Sequence, residues 1–365
     1  MIHLKKISIN QLICLVILTQ VGVRVLLIPY DESRYSGYDA WISVIIGGLL
    51  AQLMILIMYQ LGKRYPVQPF QQYVKTIVGK PLGLLLNIIF GVYYFSSSLM
   101  VGVAYADVMS RWLLFETPWI VLIGLSFAIA AYVASSPLRS ISTITQSIMC
   151  IFLICAVIIV ISGIGKGDWR HFLPIGTHGM GDILKGALPT FWAYAGYDLI
   201  LTVFPYVNTR KKKNVFIAMS VANGVTTLFY LFIAVIVIYN FSESQLNTIT
   251  EPMVFILRKF RWPVVQSLDI LFMTLWFSMT TVTVYVYLFL SARYLANVGR
   301  KEIQNHSILV WIIAILCIIV GMWGSDRQRV FHFSHFQNNF SMAIIAVIPT
   351  ILLLISYIQA KVARK

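Results

Sequence analysis

The chain has 365 residues, 59% of them hydrophobic and 11% charged, against about 45–50% and about 25% in ordinary soluble domains. A water-soluble fold has no way to hide that much apolar surface. The net charge of +15 does not mark a nucleic-acid binder either, because Lys and Arg sit in short segments between apolar runs instead of forming one basic face.

The apolar runs approach the roughly 20 residues that cross about 30 Å of hydrocarbon as a helix. In chain order, spans are expected at residues 7–28, 41–61, 84–112, 119–134, 144–163, 183–205, 216–239, 264–292, 308–323 and 341–357. The first follows Lys5 and Lys6 but is too long for a signal-peptide core and lacks a small-residue cleavage site, so it reads as a retained span. No connection exceeds about 25 residues, which leaves no room for an appended soluble domain. Cys14, Cys150, Cys155 and Cys317 all fall in apolar runs, with neither disulfide nor metal spacing.

Orientation follows from the alternate connections. Those on the N-terminal side hold 17 Lys and Arg residues, among them Lys63, Arg64, Lys75, Lys80, Arg139, the cluster at 210–213, Arg293, Arg300, Lys301, Arg364 and Lys365, against 10 on the other side. Short cytoplasmic loops are the positive ones, so both termini are expected in the cytoplasm. Glu302 is the one acidic residue expected on that side. Trp41, Trp112, Trp119, Trp262 and Trp323 fall at the opposite ends of their spans, where indole rings favour the headgroup layer.

Charges inside spans are few, and each is costly unless paired or hydrated. Asp107 and Asp269 lie near span ends and read either as interfacial carboxylates or as ion-coupling sites. Arg24 and Asp198 lie deeper. Each neighbours a glycine, Gly22 and Gly196, and each is followed by a proline, Pro29 and Pro205. Glycine and proline weaken the helical ladder, and freed backbone at membrane depth persists only where it lines a cavity or is buried in protein. Spans one and six hold equivalent places in two five-helix halves, 7–163 and 183–358, which enter the membrane from opposite sides. The expected fold is therefore all-α, with about ten membrane helices in a LeuT-like five-plus-five inverted repeat whose first and sixth helices are discontinuous. The bland alternative is that the glycines only allow close helix packing.

Candidate solute-binding residues are Gly22, Val23, Arg24, Tyr94, Ser97, Thr190, Tyr194, Gly196, Tyr197, Asp198 and Thr280; Asp107, Asp198 and Asp269 are candidates for ion coupling or structural charge. Arg24 is expected either to neutralise Asp198 across the two broken helices or to meet a ligand carboxylate. The hydroxyls of spans three and eight, Thr280 among them, equally bond back to their own helices. All six histidines are placed in termini or loops, with His332 and His335 three apart in a connection, so no metal, haem or cofactor site and no catalytic set is expected.

With these residues laid out, the chain resembles the GerAB family of endospore germination permeases, within the amino acid/polyamine/organocation superfamily. The likeness runs from the first span through the tenth. It is carried by Gly22-Val23-Arg24-Val25-Leu26-Leu27-Ile28-Pro29, Leu113-Leu114-Phe115-Glu116-Thr117-Pro118, Leu173-Pro174, Gly196-Tyr197-Asp198 with Pro205 and the 210–213 cluster, and Asp269 with Trp276. The family pattern has a second glycine at Arg24 and often glutamate at Asp198 and Asp269. The resemblance implies a non-enzymatic, permease-like subunit in the spore inner membrane that binds a small nutrient, commonly an amino acid, beside A-type and C-type receptor subunits. The competing expectation is an amino acid transporter coupled to H⁺ or Na⁺.

Overall fold

Ser8 opens the first crossing with a capping box: its hydroxyl accepts from the Gln11 amide at 3.1 Å while Gln11 Oε1 accepts from the Ser8 amide at 2.9 Å, meeting two orphan donors of the helix start. The structure, a computed structural model, describes residues 6–163, 165, 167–260, 268–298 and 306–362. Helix α1 (Ile9–Gln20) stops at residues 21–23 and resumes as α2 (Arg24–Leu27) and α3 (Tyr30–Ser36), which leads into α4 (Ala40–Arg64). A short helix α5 (Phe70–Val78) precedes α6 (Lys80–Trp112), α7 (Trp119–Ala134) and α8 (Leu138–Gly163). Helix α9 (Gly179–Ala193) stops at residues 194–196, and its crossing continues through a tight turn, Tyr197–Leu199, into α10 (Ile200–Val203). Then come α11 (Lys213–Asn240), the short α12 (Glu243–Leu246) and α13 (Pro252–Lys259), α14 (Leu268–Ala296), α15 (Ser307–Gly321), α16 (Arg327–Ser341), a wide π turn at Met342–Val347 and α17 (Ile348–Val362).

Among the described residues seven helical stretches are long and apolar enough to cross a membrane, α3–α4 and α16–α17 each counting as one. The shorter apolar α1 and α7 and the broken sixth crossing complete ten. Among the described residues the only β contact is a bridge between Ile7 and Val207. It ties the start of the first crossing to the end of the sixth, with Ile7 N donating to Tyr206 O at 2.9 Å and Asn208 N to Ile7 O at 2.8 Å.

Helix α14 is buried almost all round because it packs on α6, α7, α8 and α1. Outer helices such as α15 instead expose Ile308, Ile312, Ile315 and Ile319, an apolar face that hydrocarbon accepts and water does not. The expected spans match these helices within a few residues, except the tenth. Its helix begins at Arg327, far ahead of residue 341, so residues 332 and 335 belong to α16 and not to a loop. Polar residues dominate α16, which is why that turn of sequence reads as a connection. Residues 264–267 of the eighth span, His3, Lys5, Trp262, Arg300, Lys301, Glu302, Arg364 and Lys365 lie outside the described residues.

Candidate functional site

Both helix breaks have a local cause. Gly196 adopts φ +124°, a conformation side-chain-bearing residues avoid, and a Cβ there would lie 2.9 Å from Thr19 Cγ2 and 3.2 Å from the Gln20 amide. Gly22 likewise has Thr283 Oγ1 only 3.0 Å from where a Cβ would stand. The two crossings therefore touch where each unwinds.

The carbonyls freed in the first crossing are taken by side chains of α14 and α11. Trp276 Nε1 donates to Gly22 O (3.2 Å), Tyr230 OH to Gln20 O (2.7 Å), and Thr283 Oγ1 to Thr19 O (3.2 Å) and Leu18 O (3.3 Å). Gln20 bridges the breaks: its Nε2 donates to Tyr194 O at 3.0 Å while its Oε1 accepts from Thr226 at 2.8 Å. Buried backbone groups need such partners, so these carbonyls are not offered to a solute.

Two connected cavities lie beside the breaks. The deeper, about 140 Å³, is lined by Gln20, Gly22, Tyr93, Ser97, Thr283, Tyr287 and Gln337 among others. The wider, about 430 Å³, extends to the face opposite the N-terminus, where Arg34, Lys185 and Arg327 stand around it. Val23, Arg24, Leu27, Met100, Trp192 and Asn338 line both. Among the described residues that line the deep cavity, Arg24 is the one charged side chain.

Arg24 does not pair with Asp198. Its guanidinium forms an ion pair with Asp31 and donates from Nη2 to Pro189 O at 2.7 Å. The expected pairing fails because the chain past Pro29 is helical, and α3 brings Asp31 back beside α2. Glu32, 1% exposed, accepts from Thr190 Oγ1 at 3.1 Å. Nearer the wide end, Arg111 Nη2 holds Asp107 Oδ2 at 2.8 Å and the buried Glu251 Oε1 at 2.6 Å. Asp269 is buried in the first turn of α14, away from both cavities.

Of the expected solute-binding residues, Gly22, Val23, Arg24 and Ser97 line the deep cavity. Thr190, Tyr194, Gly196, Tyr197 and Asp198 are buried one layer behind it around the sixth-crossing break. Tyr94 packs on Tyr93 with ring centroids 4.9 Å apart and lines neither cavity. Thr280 donates to Trp276 O of its own helix at 3.1 Å and faces neither cavity. Sequence reasoning missed Gln20, Asp31, Trp192 and the face of α16 carrying Ser334, Gln337, Asn338 and Ser341. The last had a readable signal, since those four positions follow the i, i+3, i+4, i+7 spacing of one helix face.

Comparison with known proteins agrees with this architecture. A family model described as "Spore germination protein" matches residues 6–330. The chain is 24% identical over 356 residues to spore germination protein YndE of Bacillus subtilis, covering 96% of each chain. It is 22% identical to spore germination protein GerQB of Bacillus cereus, covering 98% of each. Among solved structures it superposes on a Na⁺-coupled sialic acid symporter with a TM-score of 0.68 at 10% identity, over 93% of this chain and 79% of that one. A manganese transporter from Eremococcus coleocola gives 0.59 at 12% identity, over 94% and 75%. These two share the fold of this chain.

Proposed function

Because this chain belongs to the spore germination protein family, we propose that it is the permease-like, B-type subunit of a nutrient germinant receptor and that the two-part cavity holds the nutrient. Its setting is the spore inner membrane, with both termini in the cytoplasm, the wide end of the cavity facing outward, and A-type and C-type subunits as partners. The two inverted halves are residues 7–163 and 183–358.

The nutrient class is a zwitterion, an amino acid, and the observation that carries this is the Arg24–Asp31 pair where the cavities join. Both side chains remain partly exposed, at 21% and 30%. A bound amino acid would place its carboxylate on the guanidinium, which matches that geometry with paired donors, and its ammonium on Asp31. Leu27, Met100, Val108 and Trp192 supply an apolar wall for its side chain. Because the breaks' own carbonyls are already bonded, recognition falls on these side chains and not on bare backbone. Nutrient binding then acts as a switch only through a difference in affinity between two states of the protein.

The test is a binding screen of amino acids, sugars and nucleosides on the full chain in detergent, read as a thermal shift. At least one amino acid should raise the unfolding midpoint saturably, and Arg24→Gln should remove that response. A response to sugars or nucleosides alone would overturn the zwitterion reading. A second reading, an amino acid transporter coupled to H⁺ or Na⁺, is favoured by the buried Asp198. Concentrative uptake into proteoliposomes driven by an ion gradient would select it over sensing.

A further inference from the structure

One wall of the deep cavity comes from the polar helix α16, which turns Ser334, Gln337, Asn338 and Ser341 toward it. Ser341 bonds back to Gln337 O at 2.6 Å and so keeps to its own helix. The other three carry open hydrogen-bonding groups. Gln337, 6% exposed, donates from Nε2 to Ser97 Oγ at 2.7 Å, while its Oε1 has no partner. Among the described residues nothing hydrogen-bonds the Asn338 amide or the Ser334 hydroxyl, and both side chains are partly buried where they line the two cavities.

Leaving a buried polar group unpaired costs more than an ordinary hydrogen bond gains, so such a wall favours a solute group that closes it. The rest of the lining decides the charge of that group. Among the described lining residues Arg24 alone is charged, and it is already held by Asp31 and Pro189 O. A carboxylate or an ammonium brought against α16 would be buried without a counter-charge. An apolar group would leave Gln337 Oε1 open. A carboxamide or a hydroxyl meets both conditions, because each is neutral and each both donates and accepts. Asn338 is itself a carboxamide, and two such groups can exchange N–H···O bonds in both directions.

We infer that the α16 face, through Ser334, Gln337 and Asn338, is the side-chain subsite of the nutrient cavity and selects amino acids whose side chain ends in a carboxamide or a hydroxyl. This subsite rests on the reading of Arg24 and Asp31 as the grip for an amino acid, and it supplies what that pair lacks. The pair holds the groups that all amino acids share, whereas α16 meets the part in which they differ. Leu27, Met100 and Trp192 line both cavities and give an apolar passage between them. A nutrient gripped at Arg24 and Asp31 threads its side-chain carbons there and sets its polar tip against α16.

The test is a thermal-shift titration of the full chain in detergent with two isosteric pairs, threonine with valine and asparagine with leucine, and with aspartate. A ligand of the folded state raises the unfolding midpoint saturably. Threonine should reach half its maximal rise at a concentration about tenfold or more below valine, and asparagine likewise below leucine and aspartate, because the poorer partner leaves an open group or an unpaired charge at the wall. Asn338→Leu, which keeps the shape of the side chain, should bring asparagine to within about threefold of leucine. If that variant does not fold, Ser334→Ala decides by narrowing the same preferences. Equal titrations within both isosteric pairs, in a response that Arg24→Gln abolishes, would overturn the α16 subsite and leave the amino acid reading standing. The absence of a saturable response to any amino acid would overturn both. Preferences undiminished in Asn338→Leu and in Ser334→Ala would place selection away from α16 and overturn the subsite.

Discussion

The two sides of the helix breaks treat charge in opposite ways. Toward the wide end of the cavity three carboxylates meet guanidinium groups: Asp31 meets Arg24, and Asp107 and Glu251 share Arg111, while Glu32 accepts from Thr190. Toward the N-terminal face, Asp198 is ringed by phenols and bonded to one amide. A paired charge is already stable, so a solute must compete with the existing partner and is selected by doing so. A charge among neutral dipoles has no counter-charge in place and is held by those dipoles and the Gly196 amide alone. The first arrangement suits discrimination between solutes; the second fixes the backbone of the sixth-crossing break.

The largest expected effect comes from the residue that joins the two regions. Gly196→Val would force a branched side chain into φ +124° and against Thr19 and the Gln20 amide. Backbone strain of about 1–3 kcal/mol adds to overpacking of about 1–3 kcal/mol. We expect loss of monodisperse protein in size-exclusion chromatography, whereas Gly22→Ala, facing the movable Thr283 hydroxyl, should remain folded. Recovery of folded Gly196→Val at wild-type yield would mean that the breaks do not depend on this contact.

A double-mutant cycle sharpens the contrast between the regions. Removing one member of a buried ion pair costs about 3–5 kcal/mol, and the partial exposure of Arg24 and Asp31 lowers that toward about 2 kcal/mol through solvent screening. Arg24→Ala should therefore be destabilising in chemical denaturation. Asp31→Asn should restore much of the loss in the double variant, and Asp198→Asn should not. The reverse pattern would place Arg24 on the other side of the breaks.

Sequence carried the frame of this site further than its contents. Spans were readable because hydrocarbon demands about 20 apolar residues in a row, and the breaks because Gly22 and Gly196 each combine with a nearby charge and a downstream proline. Partner choice was not readable. Whether Arg24 turns to Asp198 or to Asp31 depends on α3 continuing past Pro29, in a stretch whose Asp31, Glu32, Ser33 and Arg34 read as a loop. The lining face of α16 was hidden the same way, because its polarity outweighs its helical phase.

Two threonines three residues apart on α14 give the smallest effects and the finest distinction. Thr280 and Thr283 are both buried in apolar surroundings, and a hydroxyl in a helix can always turn back to its own chain, so composition ranks them equally. The structure separates them. Thr280 donates to Trp276 O at 3.1 Å within α14, while Thr283 crosses to Thr19 O and Leu18 O of the broken first crossing. Interhelical hydrogen bonds in membranes are worth about 0.6 kcal/mol on average and about 1.7 at most. Thr283→Val, nearly the same shape, should therefore cost about 1 kcal/mol, because it leaves two buried carbonyls of α1 without that donor. Thr280→Val removes only an intrahelical bond to a carbonyl and should stay within about 0.5 kcal/mol of the parent. Measured side by side by denaturation in the same micelle, equal losses at the two positions would show that the first crossing's freed carbonyls do not rely on α14.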